Sequence, residues 1–471
     1  MIKTYIAFCT TYIPISIGIV SLISIVFILD IYAQQNDNST NLVNMTNLFS
    51  TKEKPHIQVI SPANSFIKPI ITSGDILPSG FTFPRIPDGI GVTENNNTGL
   101  IDIFVNHELM LDEVNEYAKI SKISTTKNGK VFSGKLVEDG SGKYENFCSA
   151  TLVKEEGFKN PIFLTNEEDD DGLVVAYDIV SGAKTEMPWL GLYSHENTIV
   201  VPNRYNKTVI VATEDGDYDK SQLYAFISNI TDNFLRGQGQ LYVLVGDNNI
   251  SSFRDLQKGY QYQGHFEPVN WDWKKQNSTD LENEVQELNA LNFIRLEDID
   301  YDKNNKPIIY LADTGGIDEI DGDKYQNGRI YKFDLSKLLT YQNGNTNDRF
   351  NTTFSIILDG DEVGDDIRNP DNIATSDKSL MIQEDLNDYN KIDGGVNARI
   401  LKYDLNSNTL TAVAIVDQSD SLTNSSLGGQ WESTGIIETS GIFGPGTWLL
   451  DTQAHTLYEG GQLLLMRIDD S

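Results

Sequence analysis

Apolar residues along most of this chain occur in short runs that are separated by Asn, Gly and Asp. Runs bounded by such turn-forming residues are typical of β-strands. The clearest set lies within residues 297–359, and we expect its four runs to form four antiparallel strands. Only residues 281–291 have the spacing of a helix. The four strand-like runs cover residues 297–302, 307–313, 329–335 and 354–359.

The four-strand unit repeats along the sequence. A second copy spans residues 371–416, and further units begin near residues 88, 145, 195 and 432. Six such units predict an all-β fold, a six-bladed β-propeller of four-stranded antiparallel blades. The last unit offers only three strand-like runs, so we expect residues 56–61 to cross over as an N-terminal strand that closes the last blade.

The first 33 residues form a separate segment. Residues 13–29 are an apolar run, and Ala33 is a small residue suited to cleavage after it. We expect an export signal or, if it is not cleaved, an N-terminal anchor. The predicted order is therefore a signal or anchor at residues 1–33, a linker with a possible closing strand at 34–80, and the propeller at 81–471.

Sequons support export of the protein. Nine Asn-x-Ser/Thr sequences are acceptors for glycosylation in secreted proteins, and they lie beyond the apolar run. They include Asn38, Asn44, Asn96, Asn206 and Asn229. We expect a secreted or cell-surface, extracytoplasmic glycoprotein.

Composition and charge narrow the function further. Hydrophobic residues at 39% and charged residues at 22% are values of a globular protein. The net charge of −32 repels nucleic acids and anionic membranes, so neither is expected as a partner. A small anionic ligand would bind only where cations neutralise the site. Without the export segment, Cys148 is the only cysteine, and it is either a buried apolar residue or a metal ligand.

Polar residues recur at two positions of every unit, the start of the first strand and the end of the second. In antiparallel strands these positions lie side by side, so we expect all six units to contribute side chains to one face. Carboxylates and amide oxygens at such density predict a Ca²⁺ site in the propeller mouth. The candidate metal ligands are Glu108, Cys148, Glu167, Glu196, Glu214, Asp215, Glu297, Asp313, Asp371, Asn372, Glu384 and Glu432.

Softer donors occupy the same positions. His107, His195, His455 and Cys148 suit a transition metal such as iron or zinc beside the calcium. Any one polar residue at a strand end has the alternative role of capping a turn.

Several phrases of this sequence resemble the PhoX-type alkaline phosphatases, a family of secreted propeller enzymes. The phrases span about residues 80–460 in the family's order. They are Val105-Asn106-His107-Glu108, Tyr193-Ser194-His195-Glu196-Asn197, Ala212-Thr213-Glu214-Asp215, Phe293-Ile294-Arg295-Leu296-Glu297-Asp298 and Asn369-Pro370-Asp371-Asn372.

The resemblance implies hydrolysis of a small phosphate monoester at a cluster of Ca²⁺ and iron, with Cys148 as an iron ligand. Arg295, Arg368 and His195 are then the catalytic candidates, and either guanidinium would hold the phosphate in a bidentate manner. A salt bridge to neighbouring acids is the alternative role of each arginine. We expect the protein to act as a monomer.

Two other functions fit the same pattern. A Ca²⁺-dependent propeller lactonase or esterase would need only some of the candidate ligands, and Pro370-Asp371-Asn372 resembles the lactonase motif. A non-catalytic surface propeller would use the metals only for stability. The sequence contains no Gly-x-Ser-x-Gly elbow, which argues against a serine hydrolase.

Overall fold

The computed structural model describes residues 48–111, 115–154, 157–202, 207–216, 220–228, 234–316, 323–340, 349–385, 397–417, 431–454 and 460–469. The predicted export segment, His455 and the sequons Asn38, Asn44, Asn206 and Asn229 lie outside these residues. Residues 45–95 and 100–471 belong to one compact unit, and the description below concerns that unit.

The fold is all-β and propeller-like, and all of its strand pairs are antiparallel, as predicted. Two N-terminal strands, β1 (Ile57–Val59) and β2 (Phe66–Thr72), precede the first sheet. Two four-stranded sheets of consecutive strands follow. The first holds β3 (Pro87–Asn95), β4 (Leu100–His107), β5 (Lys119–Thr125) and β6 (Val131–Glu138), and the second holds β7 (Phe147–Val153), β8 (Ile162–Glu167), β9 (Val174–Asp178) and β10 (Lys184–Glu186).

The third sheet has nine strands and contains two of the predicted units. Its two four-stranded halves are joined by β15, which pairs with β14 on one side and β19 on the other. The described strands therefore form five sheets, not six separate ones. The nine strands are β11 (His195–Val200), β12 (Thr208–Glu214), β13 (Leu223–Ser228), β14 (Gln240–Gly246), β15 (Tyr262–Pro268), β16 (Leu296–Tyr301), β17 (Ile308–Asp313), β18 (Arg329–Asp334) and β19 (Phe350–Asp359).

The N-terminal strands complete the last two sheets, but not as predicted. β1, inside the predicted donor segment 56–61, pairs with the outer strand of the fourth sheet, β23. β2 pairs with β26 and completes the final sheet, where Ile70 and Ile71 are fully buried. The prediction of an N-terminal donor was right, and its segment was wrong. The remaining strands are β20 (Pro370–Thr375), β21 (Ser379–Glu384), β22 (Arg399–Asp404), β23 (Leu410–Val416), β24 (Glu432–Glu438), β25 (Thr447–Gln453) and β26 (Gly461–Arg467).

Helices are short and lie between strands. The predicted helix is α1 (Ser278–Glu287), which begins earlier because Asn277 and Asp280 form a reciprocal capping box. Helices α2 (Ser336–Thr340) and α3 (Ser440–Phe443) were not predicted. Three single 3₁₀ turns cover Pro188–Leu190, Phe253–Asp255 and Asp323–Tyr325. Among the described residues, no helix is both long and apolar enough to span a bilayer.

Candidate metal centre

The first strands of five units share a β-bulge near their start. In each, two residues of the first strand oppose one of the second, so one extra residue is inserted. A bulge bends the strand and re-aims its side chains, and bulges are common beside active sites. The two residues inside the five bulges are Asp88-Gly89, Cys148-Ser149, Glu196-Asn197, Glu297-Asp298 and Asp371-Asn372.

The first residue of every one of these bulges belongs to a single group of metal-ligating side chains. Two more members, Glu108 and Glu168, come directly after β4 and β8, the second strands of the first two units. The seven residues form three sets whose ligand atoms lie within 4.8 Å of one another. The sets are Asp88, Glu108 and Cys148; Cys148, Glu168 and Glu196; and Glu196, Glu297 and Asp371.

Because Cys148 and Glu196 are each shared by two sets, the seven residues form one continuous ligand cluster. The predicted convergence of the two strand-end positions is therefore observed. Five of the predicted ligands are members: Glu108, Cys148, Glu196, Glu297 and Asp371. Asp88 and Glu168 occupy predicted positions in the repeat, but the choice of individual ligands missed them.

The cluster is electrostatically costly without a cation. Burial, reinforced by the charges of neighbouring carboxylates, raises the pKa of five of its carboxyl groups well above their ordinary values. Buried like charges cannot all persist unless protons or cations compensate them. The five carboxyls belong to Asp88, Glu168, Glu196, Glu297 and Asp371.

The donor atoms fit cation binding. Oδ1 of Asp88 and Oε2 of Glu196 are buried and have no hydrogen-bond partner among the described residues. Buried polar atoms are nearly always paired, so unpaired carboxylate oxygens in a cluster of acids are atoms that a metal ion would satisfy. Carboxylates suit hard cations, and one thiol adds a soft donor. The cluster could hold metal ions of both kinds.

Cys148 is placed to contribute to such a centre. Its Sγ lies 3.4 Å from Oε1 of Glu196 and 3.5 Å from Oδ2 of Asp88. Burial, and then the charges of Asp88 and Glu196, raise the pKa of the thiol well above its ordinary value. The thiolate that binds metals would form here only with a cation beside it.

Arg295 links the cluster to the wall of a neighbouring cavity. Its Nε and Nη2 donate to the two carboxylate oxygens of Asp215 at 3.2 and 2.6 Å, and Nη2 lies 3.0 Å from Oε1 of Glu297. The side chain remains 36% exposed, so part of the guanidinium is accessible. The predicted salt bridge and the predicted position beside the site are thus both present.

The cavity has a volume of about 660 Å³. Arg295 and the cluster member Glu168 both line it, so it opens directly onto the ligand cluster. Tyr193, Tyr224 and the first turns of α1 form other parts of the wall. Its size suits a small organic ligand.

Four other predicted site residues form hydrogen bonds or ion pairs with neighbouring residues of the fold. Oε1 and Oε2 of the fully buried Glu384 accept from Arg399 Nη2 and Nε at 2.6 and 2.8 Å, and Arg368 Nη2 donates to Oε2 at 3.3 Å. Glu167 accepts from the backbone N–H groups of Glu145 and Leu173. These contacts are structural, and the predicted ligand roles of Glu384 and Glu167 and the predicted catalytic role of Arg368 stay predictions. Asp313 likewise accepts from three backbone N–H groups, those of Ile294, Arg295 and Gly315.

His195 lies at the first strand of its unit, but its ring is fully buried. Its centroid is 3.7 Å from that of Tyr193, and Nε2 lies 3.4 Å from the Gly191 carbonyl oxygen. Burial lowers the pKa of the imidazole to about 3, so it is neutral at ordinary pH. The ring packs within the fold, and its predicted role in catalysis stays a prediction.

The last predicted ligands differ in their surroundings. Asn372 holds neighbouring first strands together, because it accepts from the Gly435 N–H and donates to Ser149 Oγ. Glu432 accepts from Gln453 Nε2, which also donates to the cluster member Glu108. Glu214 and Asp215 line the cavity beside the cluster. Among the described residues, none of these four is a member of the three ligand sets.

Comparison with known proteins places the chain in a family. The sequence model of one family, alkaline phosphatase PhoX, matches residues 153–437. The chain belongs to this family. The PhoX family is metal-dependent, in agreement with the ligand cluster, and its members are phosphatases that act on small phosphorylated substrates. No curated protein sequence matches the chain.

One solved structure of low sequence identity shares the fold, and two others match with lower scores. PhoX of Pseudomonas fluorescens, in complex with vanadate, a transition state analogue, has a TM-score of 0.60 at 13% identity. That match covers 90% of this chain and 98% of the other. A chain of the mitotic checkpoint complex has a TM-score of 0.37 at 13% identity over 90% of this chain and 100% of its own. The WD40 repeats of RRP9 have 0.41 at 8% identity, over 88% and 100%.

Proposed function

We propose that this PhoX-family phosphatase hydrolyses phosphate monoesters outside the cytoplasm, with its active site at the ligand cluster. The observation that carries the proposal is the continuous set of seven ligands, five buried and two half-buried, which adjoins a cavity through Glu168 and Arg295. The apolar run at residues 13–29 and the nine sequons support the extracytoplasmic location.

We propose Ca²⁺ and iron as the metals. The carboxylates of Glu196, Glu297 and Asp371 form a set of oxygen donors alone, which suits calcium. Cys148 lies in the other two sets, where its soft sulfur suits iron. Bound cations would neutralise charge on the phosphoryl oxygens as it develops during hydrolysis.

The protein groups would bind and orient the phosphate. The exposed part of the Arg295 guanidinium faces the cavity and can donate to phosphoryl oxygens. Asp215 fixes this guanidinium through two hydrogen bonds, which limits its rotation before the substrate arrives. A positioned cation also offsets the repulsion that a phosphate would meet in a protein of net charge −32.

We also propose that the strands form six blades, with the nine-stranded sheet counted as two. Support comes from the four consecutive strands on each side of β15 and from the shared bulge in five first strands. In such an arrangement the five bulges would surround a central channel.

Phosphate release from p-nitrophenyl phosphate tests the function. The purified protein is stripped of metal and reconstituted with Ca²⁺ alone, with Ca²⁺ plus iron, or with neither. We expect activity only in the reconstituted samples. Activity that is unchanged after metal removal, or turnover of a lactone without turnover of the phosphate ester, would contradict the proposal.

Single substitutions test the roles of Arg295 and Cys148 in the proposed active site. Arg295→Ala should lower kcat/KM at least about tenfold, or about 1.4 kcal/mol, because the phosphate loses a charged donor. Arg236→Ala removes the same charge from an exposed position and is the matched control. Cys148→Ser should reduce the bound iron per chain, measured by elemental analysis, and leave bound calcium in place. Equal iron content in this variant and the wild type would remove Cys148 from the centre.

A further inference from the structure

The wall of the 660 Å³ cavity is strongly acidic. Six carboxylates and two cationic side chains line it, and Arg295, one of the cations, is already paired with Asp215 and Glu297. Acids alone do not make a binding site, since exposed carboxylates are usually solvated. The carboxylates belong to Glu168, Asp169, Asp170, Glu214, Asp215 and Glu282.

Two buried polar atoms in this wall have no partner. Oε2 of Glu214 and the hydroxyl of Tyr193 make no hydrogen bond within the described part of the chain, while the Glu214 carboxyl as a whole has one side-chain hydrogen bond, with Tyr224. The two side chains are only 6% and 3% exposed, and both line the cavity. A buried polar group left unpaired is destabilising, so a pair of such groups at one cavity indicates a hydrogen-bonding ligand.

The chemistry of that ligand follows from what surrounds the two atoms. An ionised carboxylate only accepts hydrogen bonds, and a tyrosine hydroxyl can accept one, so together they can receive two N–H groups. Glu282 on α1 lines the same cavity, and after burial its charge contributes to raising the pKa of Glu214. The two carboxylates therefore lie close enough to repel each other, and a cation between them would relieve that repulsion.

The ring of Tyr193 packs against two other rings and is not a free cation-binding face. It stacks on Tyr224 with centroids 4.4 Å apart, and the His195 ring lies 3.7 Å from it. Recognition through hydroxyl and carboxylate oxygens therefore favours a protonated amine that carries N–H groups over a quaternary ammonium.

We propose that this cavity binds the leaving group of the substrate and selects phosphomonoesters whose alcohol carries a protonated amine, with Glu214, Tyr193 and Glu282 as its recognition groups. The inference rests on the proposed function, because the phosphoryl group must sit at the adjoining ligand cluster. Arg295 stands at the junction, where it can meet the phosphate while the amine extends towards Glu214.

The test compares two series of esters with the metal-reconstituted protein. ω-Aminoalkyl phosphates of increasing chain length are matched with ω-hydroxyalkyl phosphates, which have the same size and no positive charge. Phosphate release gives kcat/KM for each. At the best chain length we expect the amine to be preferred by at least about tenfold. Equal turnover of the two series, or preference for the hydroxyl series, would overturn the inference while leaving the phosphatase intact. No turnover of either series would instead defeat the proposed function.

Two variants assign the preference to this cavity. Glu282→Gln removes one carboxylate from the cavity wall and should lower the amine-to-hydroxyl ratio by at least about fivefold. Glu287→Gln makes the same charge change on the exposed end of α1 and should leave the ratio and the overall activity as in the wild type. A ratio that falls equally in both variants would reflect the general charge of the protein and would refute the assignment.

Recognition of the amine can also be measured on the wild-type protein alone, by inhibition. Alkylamines without a phosphate should inhibit p-nitrophenyl phosphate hydrolysis competitively, and alcohols of the same length should inhibit at least about tenfold more weakly. Equal inhibition by amines and alcohols would show that the cavity does not recognise the positive charge.

Discussion

Removal of metal should reverse the pH dependence of this protein's stability. In the metal-free protein, burial and mutual repulsion raise the pKa of the carboxyls in the ligand cluster well above the ordinary values of 3.8 for Asp and 4.5 for Glu. The folded state then binds more protons than the unfolded state at any pH between the ordinary pKa of the unfolded chain and the raised pKa of the folded protein. Its free energy of unfolding is therefore highest below about pH 4 and falls as pH rises towards the raised folded pKa.

The size of the effect follows from linkage. Each proton that the folded cluster keeps, and the unfolded chain has lost, lowers the free energy of unfolding by about 1.4 kcal/mol per pH unit. The five carboxyls with raised pKa values lie in one group, and within the described part of the chain Arg295 is the cationic side chain that contacts it. If the cluster keeps one proton between about pH 5.5 and about pH 7.5, the metal-free protein loses about 3 kcal/mol.

Bound cations should give the opposite dependence of the free energy of unfolding on pH. They stabilise the carboxylate form, so the folded pKa falls below the unfolded value. The stability they supply is then present above about pH 4.5 and is lost as pH falls through the lowered folded pKa. Metal affinity also weakens on acidification, because protons compete for the same oxygens.

Glu196→Gln isolates the cluster from the many other acids of the chain. This side chain is fully buried and shared by two ligand sets, and glutamine keeps its volume while removing the charge. We expect the metal-free variant to show a slope smaller by about 1.4 kcal/mol per pH unit than the wild type. With metal, the variant should be the less stable of the two, because a ligand is lost.

The assay is urea unfolding followed by tryptophan fluorescence, at several pH values, with protein stripped of metal by gel filtration and with the same protein reloaded. Glu287→Gln serves as the control, since its exposed carboxylate should leave both slopes unchanged. A metal-free wild type whose stability stays constant or rises between about pH 5.5 and about pH 7.5 would refute the reasoning. Parallel slopes for the wild type and Glu196→Gln would place the titrating groups elsewhere.

Three further predictions concern the fold and the ion pairs. Ile71→Ala should cost about 2–5 kcal/mol in urea unfolding because β2 closes the final sheet, whereas Ile60→Ala, at a side chain that is 51% exposed, should change stability by less than about 0.5 kcal/mol. Glu384→Gln should cost about 3–5 kcal/mol because it leaves Arg368 without its carboxylate and Arg399 with only Asp366, yet it should leave bound metal per chain unchanged in elemental analysis. Asp215→Asn should raise KM for p-nitrophenyl phosphate and leave bound metal per chain nearly unchanged, since it frees the Arg295 guanidinium. A loss of metal equal to that of a cluster variant would make Asp215 a ligand.

The repeat predicted most of the fold because strand period and turn residues are local properties. What it missed depends on pairing between distant segments. Residues 57–59 and 66–72 are both short β-forming stretches, and nothing in either one specifies which sheet edge it meets. The bridge made by β15 was missed for the same reason, since a strand joining two units departs from the repeat.

The ligand cluster was largely predictable because position in the repeat determines it. The bulges add a signal that the sequence contains: at the start of each first strand, an acid or Cys148 precedes a small, amide or acidic residue. Applied to the first unit, this pattern selects Asp88, a ligand that was not chosen. The pattern also matches Glu432-Ser433, and only the structure separates that pair from the others, because the irregularity in β24 falls at Gly435.

The ion pairs of two arginines show where position in the sequence cannot separate a phosphate-binding residue from a structural one. Arg295 and Arg368 stand at corresponding places, each shortly before the first-strand acids of its unit, and both were predicted to hold phosphate. Arg368 and Arg399 share the carboxylate of Glu384, and Arg399 also contacts Asp366, so two carboxylates balance the two arginines. Arg295 instead lies among more carboxylates than it can neutralise, beside a cavity, and keeps part of its guanidinium exposed. The difference arises from a third residue, Arg399, which comes from another strand. Function at such positions is therefore decided by the balance of charges in the folded neighbourhood, which pairs of adjacent residues in the sequence do not reveal.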